Sequence, residues 1–592
     1  MSQKTNLKIL FVVSISVLLS LPVFVSAVSL GERTDFFVDP TYDLTQREEI
    51  SATLQRIGLN LYFYIDEDWL KTLNEQQRQE VELSLRNLDS EFYYKIYPIL
   101  TSTFGSEWKL GIDKTSPITI LIHPMLKEAG GYFNSGDEYP KAQNPKSNER
   151  EMLYLNADYI TDSLIKSFLA HEFTHLITFN QKEKIQGVEE EVWLNEARAE
   201  YAPTLAGYDS EYKGSNLEKR VKAFLENPSD SITEWVGREA DYGGLNLFTQ
   251  YLVEQYGIEI LADSLQSSKT GISSLNYALK KNGFKEDFSQ IFTDWTITVS
   301  ANDCSLGEKY CYKNENLRNL QLTPSINFLP LTGKSTLGVN QTTKNWSGNW
   351  FKFIGGVKGT LKIEFIGNPE NLFKVPYLSK DISGKHSLNF FELNEYQRGE
   401  ILVPKFGTEI SSVTIIPTIQ SKTSGFLSPE PAFPFFWEAS TIIEIEEVEE
   451  NANSKYLEKS ISKMTKEEIL TKISEIEELL NQLKTQLVQI EGDESEDSSS
   501  PFACARVFEE NLFYGLRNDE RVRCLQEFLK SQGAEIYPEG LVTGNFLSLT
   551  KAAVIRFQEK YASEILAPWE IEKGTGFVGE TTRAKINEIL GQ

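Results

Sequence analysis

Histidine and cysteine are scarce in this chain of 592 residues, which contains four of each. Four cysteines are too few for a disulfide-dense scaffold. Any chemistry that needs imidazole must use His123, His171, His175 or His386. Positive charge is also in short supply, since 59 lysines and arginines stand against 85 aspartates and glutamates, for a net charge of −26. A surface that acidic repels phosphate backbones, which excludes a general nucleic-acid-binding function.

Two common enzyme signatures are missing as well. No G-x-S-x-G sequence marks a serine nucleophile. All four cysteines lie outside residues 45–300, which excludes a cysteine protease in that part of the chain. A G-x-G-x-x-G match at residues 574–579 does not follow a strand in a β–α–β unit, so it does not indicate a dinucleotide site.

The first 27 residues have the composition of a secretory signal peptide. Lys4 and Lys8 precede an apolar run at residues 9–25, and small residues at 25–27 form a cleavage site of the A-x-A kind. We expect cleavage after Ala27 and a secreted protein. The alternative is an uncleaved membrane anchor, since the run is nearly long enough to span a bilayer.

Export permits disulfide bonds, and four cysteines allow three pairings. The cysteines cluster in two pairs along the chain, which favours local bridges between Cys304 and Cys311 and between Cys504 and Cys524. Free buried thiols are the alternative.

The length predicts roughly four structural units, and hydrophobic residues at 40% are enough to form their cores. The predicted fold class is multidomain α+β. A catalytic domain with a mixed sheet and active-site helices is expected at residues 45–302, and an all-β sandwich at 315–445. A heptad helix at 455–490 and an acidic, serine-rich linker at 491–502 precede a small all-α module at 503–592.

Apolar spacing predicts several elements of the catalytic domain. Buried strands are expected at residues 60–65, 118–122 and 152–155. One helix is expected over residues 75–97, ended by Pro98. Further helices are expected at residues 162–179 and from Val192 to about Ala202, the second ended by Pro203.

The heptad helix rests on apolar residues that alternate steps of four and three, over about three heptads. This spacing predicts either a dimer through residues 455–490 or a spacer that packs on its own chain. The residues of the apolar seam are Ile469, Ile473, Ile476, Leu480, Leu483, Leu487 and Ile490.

Residues 171–175 read H-E-F-T-H. On a helix His171 and His175 are one turn apart and face the same way, so their nitrogens can share one zinc ion. Glu172 lies beside them and can accept a proton from the attacking water and pass it to the leaving amine. A metal site explains this pair better than two core histidines do. The remaining two histidines are expected to be structural.

Zinc needs a third protein ligand. A third histidine of the H-E-x-x-H-x-x-G-x-x-H kind is excluded, because Gln181 stands at that position. The segment at 191–201 carries Glu196 and Glu200 on one helical face, and Glu196 would complete a His₂Glu site. Glu200 would accept a hydrogen bond from a ligand histidine and fix its tautomer, and Asn195 is a further candidate for such support. The alternative is a solvated acidic helix face.

H-E-F-T-H followed by W-L-N-E-x-x-x-E resembles the gluzincin metallopeptidases. The phrases LAHEFTHLITFNQ, WLNEARAEYA and DYGGLNLFTQYLVEQYG are most similar to the hyicolysin-like branch, and the resemblance covers about residues 50–300. It implies a zincin fold and a zinc ion, with Glu172 as base. Thermolysin-like relatives commonly have an aspartate where this chain has Glu200. The ligands that the resemblance implies are His171, His175 and Glu196.

The same resemblance implies that the strand at residues 152–155 is the sheet edge along which a peptide substrate adds. Peptide hydrolysis also needs a hydrogen-bond donor to the carbonyl oxygen as negative charge develops on it. Tyr242 is the candidate for this role, and Arg238 and Tyr201 compete with it. A tyrosine that only packs in the core is the alternative for Tyr242.

The phrases LQEFLKSQG, TKAAVIRFQ and VGETTRAKIN are similar to the type 1 peptidoglycan-binding domain over about residues 505–590, which implies peptidoglycan or cell-wall glycan as partner. Leu547 replaces a usual glycine, and residues 517–519 replace a glycine-containing turn. Both departures lie in turns, so a helical bundle that binds a protein partner is the alternative. The candidate contact residues are Tyr537, Phe546, Arg556 and Trp569.

These observations predict an exported zinc endopeptidase, held at the cell surface by its last module and acting on protein or peptide. The alternative is an inert surface-binding or adhesion protein that keeps only the zincin fold. A third possibility is an anchored structural protein whose wall module and heptad helix are the function.

Overall fold

The computed structural model describes residues 28–329, 336–442 and 507–591, except 514–515, 517–518, 570 and 572. The described residues up to 442 form one compact unit and those from 507 form a second. The predicted signal peptide, heptad helix and linker, and Cys504, lie outside the described residues. No helix within these ranges is long and apolar enough to cross a membrane.

A six-stranded mixed sheet begins the first unit, in the order β1-β2-β3-β4-β6-β5. Strands β3, β4 and β6 run parallel at its centre and the outer strands are antiparallel. All six residues of β4 are buried, as is usual for a central parallel strand. These central strands confirm the three predicted ones. The strands are β1 (Arg33–Phe37), β2 (Glu49–Ile57), β3 (Leu61–Asp66), β4 (Ile118–His123), β5 (Gly131–Tyr132) and β6 (Met152–Asn156).

The expectation that residues 152–155 form the sheet edge is wrong. Strand β5 pairs with the outer side of β6, with Gly131 opposite Leu155 and Tyr132 opposite Tyr154. The edge strand is therefore β5. A side chain at Gly131 would place its Cβ atom 2.5 Å from the Tyr154 carbonyl oxygen, so glycine allows this close pairing.

The helix expected over residues 75–97 is interrupted. It comprises α2 (Glu75–Glu91), a π-helical turn (Phe92–Ile96) and α3 (Tyr97–Phe104), after the short α1 (Glu67–Thr72). Pro98 does not end a helix but lies in the first turn of α3, which continues directly from the π-helical turn. Its missing N–H therefore removes one helical hydrogen bond. The π-helical turn absorbs the change in hydrogen-bond spacing, because Tyr97 N–H donates to the Phe92 carbonyl.

Two helices follow the sheet and carry the sequence motifs. Helix α4 (Ile165–Phe179) is mostly apolar and buried, and it continues into a π-helical turn (Asn180–Gln186). Helix α5 (Val192–Leu205) extends past Pro203, which was expected to end it. Because Pro203 lies in the last turn, only one backbone hydrogen bond is lost, and the helix closes with Ala206 N–H donating to the Ala202 carbonyl.

The part of the first unit between α5 and the β-rich region is helical. Its segments surround α4 and α5 and contribute to one large apolar core. The predicted disulfide between Cys304 and Cys311 is confirmed. The helices are α6 (Asn216–Glu226), α7 (Glu239–Tyr256), α8 (Glu259–Leu265), α9 (Gly271–Lys281) and α10 (Phe288–Ala301).

After residue 320, nine strands form one sheet that folds into two layers. Strands β11 and β16 form a separate two-stranded sheet. One half of the main sheet has the order β14-β10-β17-β8 and the other contains β13, β12, β15, β9 and β7. Phe353 of one half meets Trp437 of the other edge to face at 4.9 Å, so the halves enclose a common core as in a sandwich. The strands are β7 (Ser325–Leu329), β8 (Thr336–Thr343), β9 (Phe351–Gly355), β10 (Gly359–Gly367), β11 (Phe373–Lys374), β12 (Pro376–Asp381), β13 (His386–Phe390), β14 (Arg398–Phe406), β15 (Ile410–Ile415), β16 (Thr418–Ile419) and β17 (Phe433–Ile442).

The sandwich and the helical part share buried side chains. Trp346 packs edge to face on Phe288 at 4.7 Å, and Trp350 donates from its indole N–H to the Thr296 carbonyl. Both tryptophans belong to the core of the helical part. The sandwich therefore helps to complete that core.

The second unit is a small helical module around its own core. Tyr537 and Phe546, two of the expected wall-contacting residues, are buried in that core and cannot stack on a glycan, so this expectation is wrong. Arg556 is partly exposed. Cys524 is disulfide-bonded; its expected partner and the Trp569 side chain lie outside the described residues. The helices are α11 (Glu520–Ser531), α12 (Ser548–Lys560), α13 (Ala562–Ile565) and α14 (Glu580–Ile589).

Candidate metal centre

Helix α4 presents two imidazoles on one face. The Nε2 atoms of His171 and His175 lie 3.1 Å apart, and the rings meet edge to face with centroids at 4.9 Å. His175 is buried, and His171 keeps only a small exposed area. The helical spacing of the motif thus brings two nitrogen lone pairs to one point.

Helix α5 supplies a carboxylate to the same point. One oxygen of Glu196 lies 3.3 Å from His171 Nε2 and the other lies 3.7 Å from His175 Nε2. One ligand atom from each residue lies within 4.8 Å of the others. Zinc bonds of about 2.0–2.1 Å in a tetrahedron put neighbouring ligand atoms about 3.3 Å apart. Glu196 Oε2 is buried and makes no hydrogen bond with the described residues, so this donor set fits a zinc ion.

The outer nitrogen of each imidazole faces an acceptor. His175 Nδ1 donates to Asn195 Oδ1 at 3.0 Å, and His171 Nδ1 lies 3.3 Å from Glu200 Oε1. These partners favour a proton on each Nδ1, which leaves both Nε2 atoms free to act as ligands.

Glu200 is buried and held by several donors. Arg220, Asn216 and Asn246 all donate to its carboxylate. Burial alone would raise the pKa of Glu200, but the Arg220 charge and the contact with His171 hold that pKa well below its ordinary value. Glu200 is therefore a fixed anion behind His171.

The pKa values of the two imidazoles are driven apart. Burial lowers both, but the adjoining carboxylates of Glu196 and Glu200 raise the pKa of His171 to about 10. The pKa of His175 stays below its ordinary value, because burial and the positive charge of His171 outweigh the attraction of Glu196. A positive charge is strongly favoured among these side chains, whether a proton or a metal ion provides it.

Glu172 lies next to this cluster without joining it. Burial raises the pKa of Glu172 to about 8, and the charges of Glu196 and Glu200 raise it while His171 lowers it. A Cβ atom at Gly131 would lie 3.1 Å from Glu172 Cγ, so edge strand β5 passes directly over this carboxyl group. Glu172 is thus held between the cluster and the sheet edge.

A cleft of about 490 Å³ opens in front of the cluster. Its walls include the edge-strand residues 130–133, faces of α4 and α5, and Tyr242 from α7. Tyr42, from the segment before β2, also lines it. The sequence around Tyr42 contains no motif or periodic pattern, so it did not predict that Tyr42 would line the cleft.

Tyr42 is held in place from both sides. Its ring stacks on Tyr132 at 4.7 Å with an interplanar angle of 11°, and its carbonyl accepts from Leu126 N–H. The next residue, Asp43, is buried and pairs with Arg47 and with His123 Nδ1 at 3.2 Å. Burial raises the pKa of Tyr42, and the charges of Glu172 and Glu196 raise it further, so its hydroxyl remains a donor in the field of the site.

Tyr242 lies on the α7 side of the cleft. Its ring meets Trp235 edge to face at 4.6 Å, and the Arg220 guanidinium lies 4.3 Å from the ring centroid. Burial raises the pKa of Tyr242 far above its ordinary value, with Glu196 adding to the rise and Arg220 opposing it. Of the three candidates considered, Tyr242 lines the cleft, whereas Arg238 and Tyr201 do not.

The structure therefore brings most of the predicted site residues together. The two other histidines make structural contacts, His123 with Asp43 and His386 with Asp303 at 3.1 Å. Sequence reasoning missed Tyr42 and Arg220. The predicted residues that surround one point or the cleft in front of it are His171, Glu172, His175, Asn195, Glu196, Glu200 and Tyr242.

No family model matches the chain, but the chain is similar to a curated protein. The chain is 24% identical over 289 residues to the neutral metalloprotease ShpI of Staphylococcus hyicus, a match that covers 44% of this chain and 61% of that protein. The chain thus spans about three fifths of the length of this curated relative.

Two solved structures match too loosely to carry an argument about the fold. One is PliG of Aeromonas hydrophila, a periplasmic inhibitor of g-type lysozyme, with 7% identity over 20% of this chain and 98% of that chain and a TM-score of 0.14. The other is a family GH115 4-O-methyl-α-glucuronidase with specificity for decorated arabinogalactans. It has 8% identity over 54% of this chain and 51% of that chain, with a TM-score of 0.12.

Proposed function

We propose that this chain is an exported, zinc-dependent endopeptidase. The observation that carries the proposal is the convergence of His171, His175 and Glu196 within 4.8 Å, beside a buried carboxyl group and inside a cleft. The similarity to a neutral metalloprotease supports metallopeptidase activity in general. It also agrees with the resemblance to hyicolysin-like gluzincins.

His171, His175 and Glu196 would hold the zinc ion, with Asn195 and Glu200 orienting the imidazoles. When bound, zinc would supply Lewis-acid activation of the water and of the peptide carbonyl. Glu172 accepts the proton of the attacking water and delivers it to the leaving nitrogen, so the same carboxyl group acts first as base and then as acid.

The substrate is proposed to be an extended peptide. Strand β5 is the sheet edge and borders the cleft, so an extended segment can add to it through backbone hydrogen bonds. That orientation would carry a scissile carbonyl past Glu172, which lies beneath Gly131. Tyr242 and Tyr42, on other walls of the cleft, offer hydroxyl donors to the developing negative charge.

A zinc analysis combined with a proteolysis assay tests this function. Purified protein is expected to contain about one zinc per chain and to digest casein, with a chelator abolishing the digestion. Glu172→Gln should retain zinc and lose proteolysis. Glu259→Gln is the matched control, since Glu259 is an exposed glutamate in the first turn of α8. Full activity of Glu172→Gln, or of metal-free protein, would contradict the proposal.

We further propose secretion through a signal peptide at residues 1–27 and attachment to the cell wall through the C-terminal module. The support is the composition of the first residues and the similarity of residues 505–590 to peptidoglycan-binding domains. A dimer through residues 455–490 would add avidity.

Wall attachment is tested by co-sedimentation of the full chain with purified peptidoglycan. The partly exposed Arg556 is the residue to vary, because the aromatic candidates Tyr537 and Phe546 are buried. Arg556→Ala should reduce the sedimented fraction. A wild-type chain that stays in the supernatant would show that this module does not bind the wall.

A further inference from the structure

A second cavity, of about 230 Å³, lies where the sandwich meets the end of α10. One wall is a face of the sandwich, contributed by β9, β12, β13 and β15, and the other is the segment leading into β7 together with Ser300. The proposed peptidase chemistry uses none of these residues.

The strand register concentrates polar and basic side chains on this wall. Lys380 of β12 stands opposite His386 on one side and Ser412 on the other. Two residues along β15, Thr414 stands opposite Lys352 of β9. Directly opposed residues of antiparallel strands project to the same face, and positions two apart do so as well. All five side chains line the cavity.

The two lysines of this wall make no ion pair with the described residues. Within the described ranges, no carboxylate lies within 4.0 Å of the ammonium group of Lys352 or Lys380. His386 Nδ1 contacts Asp303 Oδ2 at 3.1 Å, which leaves its Nε2 available. The two half-buried lysines lie on strands that flank β15 on either side, and both line the same cavity, so like charges are concentrated there. The chain as a whole has a net charge of −26, so a positively charged cavity stands out from the rest of the protein.

The remaining groups of the wall are hydrogen-bonding ones. Ser412 and Thr414 are at least nine-tenths buried, at 5% and 7% exposure, and both hydroxyls belong to residues that line the cavity. Leu378 and Pro324 add apolar surface. This wall suits a small hydroxylated anion. The lysines can bind its acidic group, the hydroxyls can bind its hydroxyl groups, and the apolar residues can contact its carbon atoms.

We propose that this cavity binds a small anionic carbohydrate, with its carboxylate or phosphate group between Lys352 and Lys380 and its hydroxyls at Ser412 and Thr414. The volume is below the roughly 300–1,000 Å³ of sites for drug-sized ligands, so one sugar unit is the size of ligand that fits. The site is separate from the proposed peptidase cleft and does not depend on it. It would let the sandwich hold the protein on an acidic glycan.

Calorimetric titration of the full chain tests the proposal with four probes: glucuronate, glucose 6-phosphate, inorganic phosphate and glucose. The sugar anions are expected to bind and neutral glucose is not. Binding of glucuronate alone or of glucose 6-phosphate alone identifies which acidic group the site takes. Equal binding of inorganic phosphate would show that the charge suffices and would overturn the assignment to a carbohydrate. Absence of binding by both sugar anions would overturn the site altogether.

Substitutions locate the binding. Lys352→Gln combined with Lys380→Gln should weaken glucuronate or glucose 6-phosphate binding by roughly tenfold or more. The matched control is Lys358→Gln with Lys405→Gln, which removes the same charge from exposed positions of the sandwich. If the double variant does not fold, Ser412→Ala should still weaken binding several-fold. Undiminished binding in these variants, or equal loss in the control, would refute the proposed location.

Discussion

Arg220 makes a two-point hydrogen-bonded ion pair with Glu200, on the side of Glu200 away from the candidate metal centre. Its Nε and Nη2 atoms donate to the two carboxylate oxygens of Glu200 at 2.8 and 2.7 Å, and both side chains are buried. A planar guanidinium suits this two-point contact and an ammonium does not. Glu200 in turn faces His171 Nδ1, so the orientation of one proposed ligand depends on a residue on helix α6.

Arg220→Lys is therefore expected to weaken zinc binding, because Glu200 would lose one of its two oriented donors. Loss of such supporting contacts typically costs about 10–100-fold in metal affinity. Competition with a chromogenic chelator measures the affinity. Arg86→Lys, on the exposed face of α2, is the control. Unchanged affinity in Arg220→Lys would show that Arg220 does not support the metal site.

Removal of the Tyr242 hydroxyl should slow the chemical step. If that hydroxyl stabilises the developing negative charge, Tyr242→Phe should lower kcat by roughly 100-fold with little change in KM. Tyr42→Phe should have a smaller effect on kcat and show whether the second hydroxyl contributes. Tyr94→Phe, at an exposed position on the π-helical turn after α2, is the reference. Normal kcat in both cleft variants would exclude tyrosine hydroxyls from the reaction.

Gly131→Ala should impair activity without removing the metal. The new methyl group would lie 2.5 Å from the Tyr154 carbonyl oxygen and 3.1 Å from Glu172 Cγ, so strand β5 would have to move away from β6. Kinetics with a peptide substrate, together with zinc content, measure the effect. Gly244→Ala in α7 is the control, because its nearest neighbour would be at an ordinary 3.6 Å. A fully active Gly131→Ala would argue against substrate binding along β5.

Asp43 should make stability dependent on pH. Burial would raise the pKa of Asp43, but hydrogen bonds with His123 and Arg47 hold it far below its ordinary value. A carboxylate with a lowered pKa in the folded state stabilises the protein above the unfolded pKa of about 3.9 and loses that contribution as pH falls below it.

Asp43→Asn is accordingly expected to cost about 2 kcal/mol of unfolding free energy at pH 7, and this deficit should shrink as pH drops below about 4. Urea unfolding of both proteins at pH 7, 5 and 3 measures it. Asp68→Asn, on an exposed turn of α1, is the control. A deficit that does not vary with pH would mean that the Asp43 charge is unimportant.

Much of the candidate site could be predicted because it rests on helical spacing. His171 and His175 are four residues apart, as are Glu196 and Glu200, and each spacing alone puts both side chains on one face. The effects of Pro98 and Pro203 on their helices could not be predicted as well, because the effect of a proline depends on its position in the helix. Pro98 lies in a first turn and Pro203 in a last turn.

The sequence by itself determined the two imidazoles, the adjacent base and the carboxylates that face them, since these follow from local periodicity and side-chain chemistry. Only the tertiary structure decided which strand forms the sheet edge, that Tyr42 reaches the cleft, and that Arg220 stands behind Glu200. Tyr42 and Tyr132 are far apart in the chain yet stacked at 4.7 Å. Such contacts depend on the packing of whole elements, and no local pattern of residues specifies them.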